Sequence, residues 1–130
     1  MSSVEVAYSI VGAGPPLYMV HGIGSCKATW EALIKDLRTD FTCVSLDLRG
    51  HGESPVPPVP YSLDELVEDL EALRQRLGHQ RIHVVGHSLG GQIGPAYART
   101  HQNVWRQSHF SVRQQAGLLR IVPRSRVWSL

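Results

Sequence analysis

The sequence predicts an α/β fold in which helices flank a mostly parallel sheet. Two observations lead to this prediction. Segments with strand patterns alternate with segments that have helical patterns, which is the chain order of a parallel sheet whose strands are joined by helices. Three of the strand segments are compact apolar runs, as expected for parallel strands that are covered on both faces. The chain has 130 residues, 42% of them hydrophobic and 18% charged, which is enough for one globular domain with a core.

The first half of the chain contains three predicted strands and one predicted helix. Apolar residues alternate over positions 4–10, which is typical of a half-buried strand, and the glycines and prolines of residues 12–16 end it. Residues 17–20 and 41–46 are the next two strand segments. Between them, apolar residues recur at i, i+3, i+4 and i+7, which predicts a helix whose buried face consists of Trp30, Leu33, Ile34 and Leu37.

The second half begins with a proline-rich loop and continues with a helix, a strand and another helix. Ser62 and Glu65 have the spacing of a capping box, so a helix is predicted to begin there. Its apolar stripe repeats at helical spacing, and Gly78 is a suitable residue to end it. Residues 82–85 form the next predicted strand, and the last predicted helix runs to about residue 99.

Polar residues follow three of the predicted strands at the point where each one ends. His21 follows the second strand, Asp47 follows the third, and Ser88 follows the fourth. In open α/β sheets, functional residues gather beyond the carboxyl ends of the strands. These residues therefore mark the candidate site.

Ser88 lies between two glycines, Gly86 and Gly90, in the segment RIHVVGHSLGGQIG. A serine on a tight turn between a strand and a helix has a strained backbone, and side chains two positions away would clash with the crossing chain. Such a turn exposes the hydroxyl at a helix N-terminus, where free N–H groups and the helix dipole stabilise an oxyanion. The pattern favours a reactive serine over a serine that only forms a turn.

Three segments, VHGIGS, DLRGHGES and VVGHSLGG, resemble motifs of the α/β-hydrolase superfamily, in its group of small esterases, lactonases and related carbon–carbon hydrolases. The resemblance covers about residues 4–100. It implies that Ser88 is the nucleophile of the elbow, and that the backbone N–H groups of Ile23 and Leu89 form the oxyanion hole. It also implies a small-molecule ester or lactone substrate, no cofactor and no metal.

The other polar residues of these motifs are interpreted as structural. His21 and Gly22 are expected to shape the oxyanion loop rather than to transfer protons. A turn after the third strand resembles a structural turn of the family, and its polar members are Asp47, Arg49 and His51. Asp47 could also orient a loop at the site.

Three further residues carry no predicted chemistry. His87 precedes the proposed nucleophile, and on a sharp turn its side chain is expected to point away from Ser88. Cys26 and Cys43 match no disulfide or metal pattern, and we interpret them as buried reduced thiols.

The chain contains no evident acid or base for a catalytic triad. A serine nucleophile needs a positioned base, the base needs an orienting carboxylate, and in this superfamily both follow the serine along the chain. No Asp or Glu follows Ser88. The two histidines that follow it, His101 and His109, come too early to lie beyond further strands. The sequence therefore predicts an α/β-hydrolase fold that is truncated after the nucleophile helix.

Residues 101–130 differ from the rest of the chain in charge and in pattern. All 11 acidic residues lie between positions 5 and 71, whereas nine arginines lie beyond position 71. We therefore divide the chain into the N-terminal part of a hydrolase domain, residues 4–100, and a basic C-terminal tail, residues 101–130, in which residues 118–122 could form a strand. A frameshifted or truncated coding sequence near His101 is favoured over a genuine basic extension.

Three function classes remain open at this stage. The first is a serine hydrolase that acts on a carboxylic ester or lactone through an acyl-enzyme. The second is a catalytically silent fragment of that enzyme, and the third is a binding module whose arginine-rich tail contacts an anionic partner. The sequence has no nucleic-acid motif, no membrane span and no signal peptide, so we expect a cytoplasmic protein without nucleic-acid partners. An exposed edge of a truncated sheet would favour self-association.

Overall fold

A computed structural model of the chain describes residues 3–58 and 61–101, together with the backbone of three later strands. The first part contains one sheet of four strands: β1 (Tyr8–Gly12), β2 (Pro16–Val20), β3 (Thr42–Leu46) and β4 (His83–Gly86). Their order across the sheet is β1-β3-β2-β4. β2 is parallel to both β3 and β4, whereas β1 is antiparallel to β3. The predicted mostly parallel sheet is therefore confirmed.

The two edges of this sheet are β1 and β4. The alternation predicted a buried apolar face over residues 4–10, but the strand spans Tyr8–Gly12, and Tyr8 and Ile10 are 41% and 48% exposed because they lie at the edge of the sheet. Exposed edge strands are templates for pairing with another chain. The expected self-association through a sheet edge stays a prediction.

The first helix of the structure is α1 (Glu31–Leu37), which follows a 3-10 turn over Lys27–Trp30. The helical spacing predicted Trp30 as part of a buried α-helical face. Trp30 is buried, but it belongs to the 3-10 turn. Such turns are frequent at helix N-termini because they tighten the entry of the chain.

The second helix, α2 (Leu63–Leu77), begins at the predicted capping box. The Glu65 N–H donates to Ser62 Oγ at 3.2 Å, and the Ser62 N–H donates to Glu65 Oε2 at 3.4 Å. Gly78 ends the helix in a left-handed conformation with φ 75°, which a glycine adopts without steric cost. The third helix, α3 (Leu89–Thr100), starts directly after Ser88.

Helices cover both faces of the sheet, and each face has its own apolar core. α2 and α3 pack on one face, where the largest buried side chains are Tyr18, Leu46, Leu48, Leu70, Leu73, Ile82, Ile93 and Tyr97. α1 and the preceding turn pack on the other face, where the core consists of Leu17, Met19, Trp30, Leu37, Phe41, Cys43 and Val85. Burial on both faces explains why β2, β3 and β4 are apolar runs.

Three later strands form a second, antiparallel sheet in the order β5-β6-β7: β5 (His109–Val112), β6 (Leu119–Val122) and β7 (Trp128–Ser129). β6 corresponds to the strand that the sequence suggested at residues 118–122. Residues 102–108, 113–118, 123–127 and 130 of the predicted tail lie outside the described residues, and the hypothesis of a lost reading frame stays a prediction. Within the described parts of the chain, none of the helices has the length and apolar character needed to cross a membrane.

Candidate active site

Ser88 lies on the turn between β4 and α3 and has an unusual backbone. Its φ of 55° and ψ of −113° make it the one non-glycine residue with positive φ among the residues that the structure describes. Such a conformation costs of order 1–3 kcal/mol and persists only where the surrounding structure imposes it. The side chain of Ser88 is exposed. The sequence predicted this strained, exposed serine from its place between a strand and a helix.

Gly86 and Gly90 let the chain cross itself closely at this turn. A Cβ on Gly86 would overlap the carbonyl oxygen of Gly90, and a Cβ on Gly90 would overlap the carbonyl oxygen of Val20 at the end of β2. No side chain fits at either position unless the backbone moves. The two glycines therefore hold β2, β4 and the start of α3 together around Ser88.

The first amide of α3 is available to a ligand. Leu89 is the first helical residue, and helix N-termini leave their first N–H groups without intrahelical partners. Within residues 3–58 and 61–101, the Leu89 N–H donates no hydrogen bond, and the Ser88 hydroxyl forms none. A partial positive charge from the helix dipole adds to the attraction of this position for an anion.

A loop after β2 lies directly against Ser88. A Cβ on Gly22 would stand 3.0 Å from the Cβ of Ser88 and 3.3 Å from Nδ1 of His87. The loop turns at Gly22–Ser25, where the Ser25 N–H donates to the Gly22 carbonyl oxygen at 3.1 Å. Within the described residues, the Ile23 N–H in the middle of this turn donates no hydrogen bond. The structure thus brings the Ile23 loop, Ser88 and Leu89 into one place.

His21 is fully buried, and both of its ring nitrogens have partners. Nε2 accepts a hydrogen bond from the Leu48 N–H at 3.0 Å, so Nδ1 carries the proton and donates it to the Gly22 carbonyl oxygen at 2.7 Å. Burial lowers the pKa of His21. This neutral imidazole is engaged with backbone on both sides, which supports the interpretation that it shapes the loop rather than transfers protons.

Asp47 is a buried carboxylate that holds the same loop. Its Oδ1 accepts from the Lys27 N–H at 2.7 Å, and its Oδ2 accepts from Lys27 Nζ at 3.2 Å and from the Glu53 N–H at 3.0 Å. Burial alone would raise the pKa of Asp47, but the hydrogen bonds from Glu53 and Lys27 hold it below its ordinary value. The suggestion that Asp47 orients a loop at the site therefore has a structural basis.

Arg49 ties the turn after β3 to helix α2. Its side chain is buried and donates to both carboxylate oxygens of Asp69, at 2.6 and 2.8 Å. The Arg49 guanidinium also lies 3.3 Å from Glu65 Oε2, and Asp69 accepts a further hydrogen bond from the Val4 N–H. The sequence predicted a structural role for Arg49, but it did not predict this partner.

His51 and His87 are the other two histidines of the motifs, and both have identifiable neighbours. Nε2 of His51 accepts from the Gly24 N–H at 2.9 Å, and the His51 ring lies 5.0 Å from the ring of His21. The His87 ring lies beside Gly22, and within the described residues it forms no hydrogen bond with the Ser88 hydroxyl. The expectation that His87 takes no part in catalysis stays a prediction.

Sequence reasoning missed two contributors to this site, Lys27 and Ser54. Lys27 binds Asp47 through both its backbone and its side chain, as described above. Ser54 Oγ accepts from the Ala7 N–H at 2.8 Å and donates to the Asp47 carbonyl oxygen at 2.6 Å, so it joins the segment just before β1 to the turn after β3. Ser54 lies in the quoted DLRGHGES segment, so the sequence contained a signal that this residue contributes to the site. Lys27 lies outside every quoted motif.

The two candidates for a catalytic base are His101 and His109. Among the described residues, neither side chain is found near Ser88. His101 follows the last residue of α3, and a helix of 12 residues is about 18 Å long. There, His101 Nε2 lies 3.2 Å from Glu68 Oε1. His109 belongs to β5, whose side chains lie outside the described residues. Within the described residues, no group of three or more His, Cys, Asp or Glu side chains could hold a metal ion.

Comparisons with known proteins agree with this architecture. A family model described as the α/β hydrolase fold matches residues 15–110. Fluoroacetate dehalogenase of a Burkholderia species is 32% identical over 106 residues, which cover 78% of this chain and 35% of that protein. A marine microorganism esterase superposes with a TM-score of 0.78 at 26% identity, covering 80% of this chain and 40% of that one. A hydrolase from Pseudomonas aeruginosa superposes with a TM-score of 0.75 at 37% identity, covering 78% of this chain and 39% of that one. The chain thus spans less than half the length of these relatives.

Proposed function

Because this chain belongs to the α/β-hydrolase fold family, we propose that it is the part of a serine hydrolase that carries the nucleophile and the oxyanion hole. In this proposal, Ser88 Oγ attacks the carbonyl carbon of a small-molecule carboxylic ester or lactone. The observation that carries the proposal is the strained Ser88 backbone between β4 and α3, close to two amides that have no acceptor among the described residues. A strained non-glycine residue at a strand–helix turn is typical of a functional site.

The two amides account for the choice of an acyl substrate. When a hydroxyl oxygen adds to a carbonyl carbon, the carbonyl oxygen becomes negatively charged within a few ångströms of the nucleophile. In this proposal, the N–H groups of Ile23 and Leu89 point to that oxygen and stabilise its charge. The relatives named above include a dehalogenase as well as an esterase, so their names alone do not identify the bond that is cleaved. Serine with adjacent amide donors favours the ester or lactone.

The proposed reaction runs through an acyl-enzyme. The Oγ–carbon bond forms as the hydroxyl proton passes to a base, and the tetrahedral intermediate then expels the alcohol, which takes up a proton. Water attacks the ester that remains on Ser88 and releases the carboxylic acid. The base and its carboxylate partner would come from the part of a complete hydrolase that this chain does not match.

A catalytically silent chain is the second candidate, and one observation favours it. Among the described residues, none forms a hydrogen bond with the Ser88 hydroxyl, so none of them is placed to act as its base. Triad variants of intact serine hydrolases retain only about 10³–10⁴-fold acceleration over water. The third class, a binding module for an anionic partner, depends on side chains beyond residue 101, which lie outside the described residues.

Turnover of a p-nitrophenyl acyl ester by the 130-residue chain tests these candidates. We expect hydrolysis at or near the background rate, equal in the wild-type chain and in Ser88→Ala. Robust hydrolysis that disappears in Ser88→Ala would show that the chain contains a base. Robust hydrolysis that persists in Ser88→Ala would exclude Ser88 as the nucleophile.

Mass spectrometry after prolonged incubation with the same ester tests the nucleophile itself. Without a base, deacylation is slow, so any acyl group transferred to Ser88 should accumulate. We expect one acyl group on the Ser88 peptide and none on that peptide in Ser88→Ala. Acylation confined to lysines would contradict the proposed role of Ser88.

A further inference from the structure

Two different histidine side chains contact the backbone on the two sides of Ile23. The Gly22 carbonyl, which belongs to the peptide group that carries the Ile23 N–H, accepts a hydrogen bond from His21 Nδ1 at 2.7 Å. The next peptide group ends in the Gly24 N–H, which donates to His51 Nε2 at 2.9 Å. Because a peptide group is planar, fixing its carbonyl oxygen also fixes the direction of its N–H. The two rings together therefore set both backbone torsions of Ile23.

Only one protonation form of the His51 ring can make both of its hydrogen bonds. Nε2 must be unprotonated to accept from the Gly24 N–H, and Nδ1 lies 2.9 Å from the carbonyl oxygen of Arg49, which can only accept. The neutral form with the proton on Nδ1 satisfies both contacts. The other neutral form satisfies neither, and a doubly protonated ring loses the contact with Gly24.

The carbonyl that orients His51 is itself immobilised. Arg49 is buried, and its guanidinium is paired with Asp69 of α2 through two hydrogen bonds. The Gly24 end of the contact borders open space, since a Cβ there would meet nothing within 4 Å. His51 therefore connects an open turn of the loop to a fixed part of the fold.

We propose that His51 is a positioning residue that aims the Ile23 N–H at the reaction site, acting in the neutral form with its proton on Nδ1. This inference rests on the proposed function, in which the Ile23 amide stabilises the oxyanion. It goes beyond a structural turn because it gives the ring one specific form and one specific backbone target. His21 holds the peptide group before Ile23, and His51 holds the one after it.

Nuclear magnetic resonance of the isotopically labelled chain at about pH 8, where histidine side chains are ordinarily neutral, tests the proposal without any turnover. We expect the nitrogen-15 shifts of His51 to show an unprotonated Nε2 and a protonated Nδ1. We also expect a scalar coupling across the hydrogen bond from the Gly24 N–H to His51 Nε2. A proton on Nε2, or no coupling in a folded chain, would overturn the proposal. Neither readout requires Ser88 to react, so a failed proposed function remains distinguishable.

Hydrogen exchange of the Gly24 amide in variants provides the second measurement. His51→Phe removes the acceptor, so exchange at Gly24 should become about twofold to tenfold faster, which corresponds to the loss of one hydrogen bond. His51→Gln offers a carbonyl oxygen in the same region and should restore part of the protection. His101→Gln, at the far end of α3, is the matched control and should leave the Gly24 amide unchanged. Equal exchange at Gly24 in wild type and His51→Phe would contradict the proposal.

Discussion

Polar side chains form hydrogen bonds at both ends of the parallel strands, but they bind different partners at the two ends. At the carboxyl ends, His21, Asp47 and His51 accept hydrogen bonds from backbone N–H groups of neighbouring loops. At the other end, between α2 and α3, Glu71 and Tyr97 are hydrogen-bonded to each other at 2.8 Å. The first arrangement fixes the course of loops, and the second joins two helices.

The polar cluster that joins α2 and α3 consists of Glu71, Arg74 and Tyr97, which are hydrogen-bonded to one another. Arg74 donates to both oxygens of Glu71, at 2.6 and 2.8 Å, and to the His79 carbonyl oxygen at 2.7 Å. Burial alone would raise the pKa of Glu71, but its hydrogen bonds with Arg74 and Tyr97 hold it below its ordinary value. Burial and the hydrogen bond with Glu71 raise the pKa of Tyr97.

The difference shows how a rigid scaffold leaves donors free for chemistry. At the carboxyl ends, His51 binds the Gly24 amide and His21 binds the Gly22 carbonyl, and among the described residues the Ile23 N–H between them has no acceptor. Buried polar groups that bind backbone fix a loop without consuming the donor that a substrate would need. Side-chain pairs such as that of Glu71 and Arg74 stabilise packing and provide no such donor. The two ends should therefore respond differently to substitution.

The largest expected effect is at Arg49. Arg49→Met should reduce the free energy of unfolding by about 3–5 kcal/mol, because it leaves the buried Asp69 carboxylate without its cation. Denaturation in urea measures the change. Arg76→Met is the control, since Arg76 pairs with the 86%-exposed Glu5 and an exposed pair contributes at most about 1 kcal/mol. Equal losses in the two variants would mean that the Arg49 turn does not anchor the site.

An intermediate effect is expected at Tyr97. Tyr97→Phe removes one hydrogen bond to the Glu71 carboxylate and should reduce the free energy of unfolding by about 1.5–3 kcal/mol. The resonances of Gly24 and His51 should stay at their wild-type positions, because the change lies at the other end of the strands. Tyr8→Phe, at an exposed position, should leave stability unchanged. Shifts at Gly24 in Tyr97→Phe would show that the two ends are coupled.

The smallest expected effect is the pH dependence of stability between pH 8 and pH 5. Burial lowers the pKa of His21, whereas an unfolded histidine titrates at about 6.5. Below that pH the unfolded chain takes up a proton that the folded chain resists, so stability should decrease as pH falls through about 6.5.

Substituting His21 and His79 one at a time shows how much of this pH dependence comes from each end of the strands. His21→Gln should flatten it, and His79→Gln should flatten the remainder, since burial also lowers the pKa of His79. Urea midpoints across this range measure both slopes. A slope unchanged in His21→Gln would indicate that His21 is not held in its neutral form.

Local patterns in the sequence predicted the strands and helices up to residue 100 and the strained serine, but not β5 or β7, and the structure confirms the fold class. The capping box at Ser62 and the glycine stop at Gly78 depend on neighbouring residues, so the sequence carries the full signal. The elbow at Ser88 is also local, because its two glycines lie within two residues of it.

Contacts between distant segments could not be predicted in the same way. Arg49 and Asp69 are 20 residues apart, and His51 and Gly24 are 27 residues apart. Neither spacing has a local rule, since the fold brings each pair together. The antiparallel direction of β1 was missed for the same reason, because periodicity reports burial and not the identity of the neighbouring strand. The 3-10 turn at Trp30 has the same apolar spacing as the α-helix that was predicted.

The strand order β1-β3-β2-β4 has a consequence for how the chain is assembled during synthesis. β2 emerges early, but its two neighbours in the sheet are made later, and Gly86 of β4 pairs with Val20 of β2. Pairings between such distant segments form slowly because a long loop must close first. Ser88 and the amide of Leu89 follow β4 directly. They therefore reach the loop of Ile23 only when β4 has been inserted into the sheet beside β2. A ribosome that has released α2 but not β4 therefore carries a nascent chain in which the turn of His51 and the loop of Gly24 exist before the serine that they would serve.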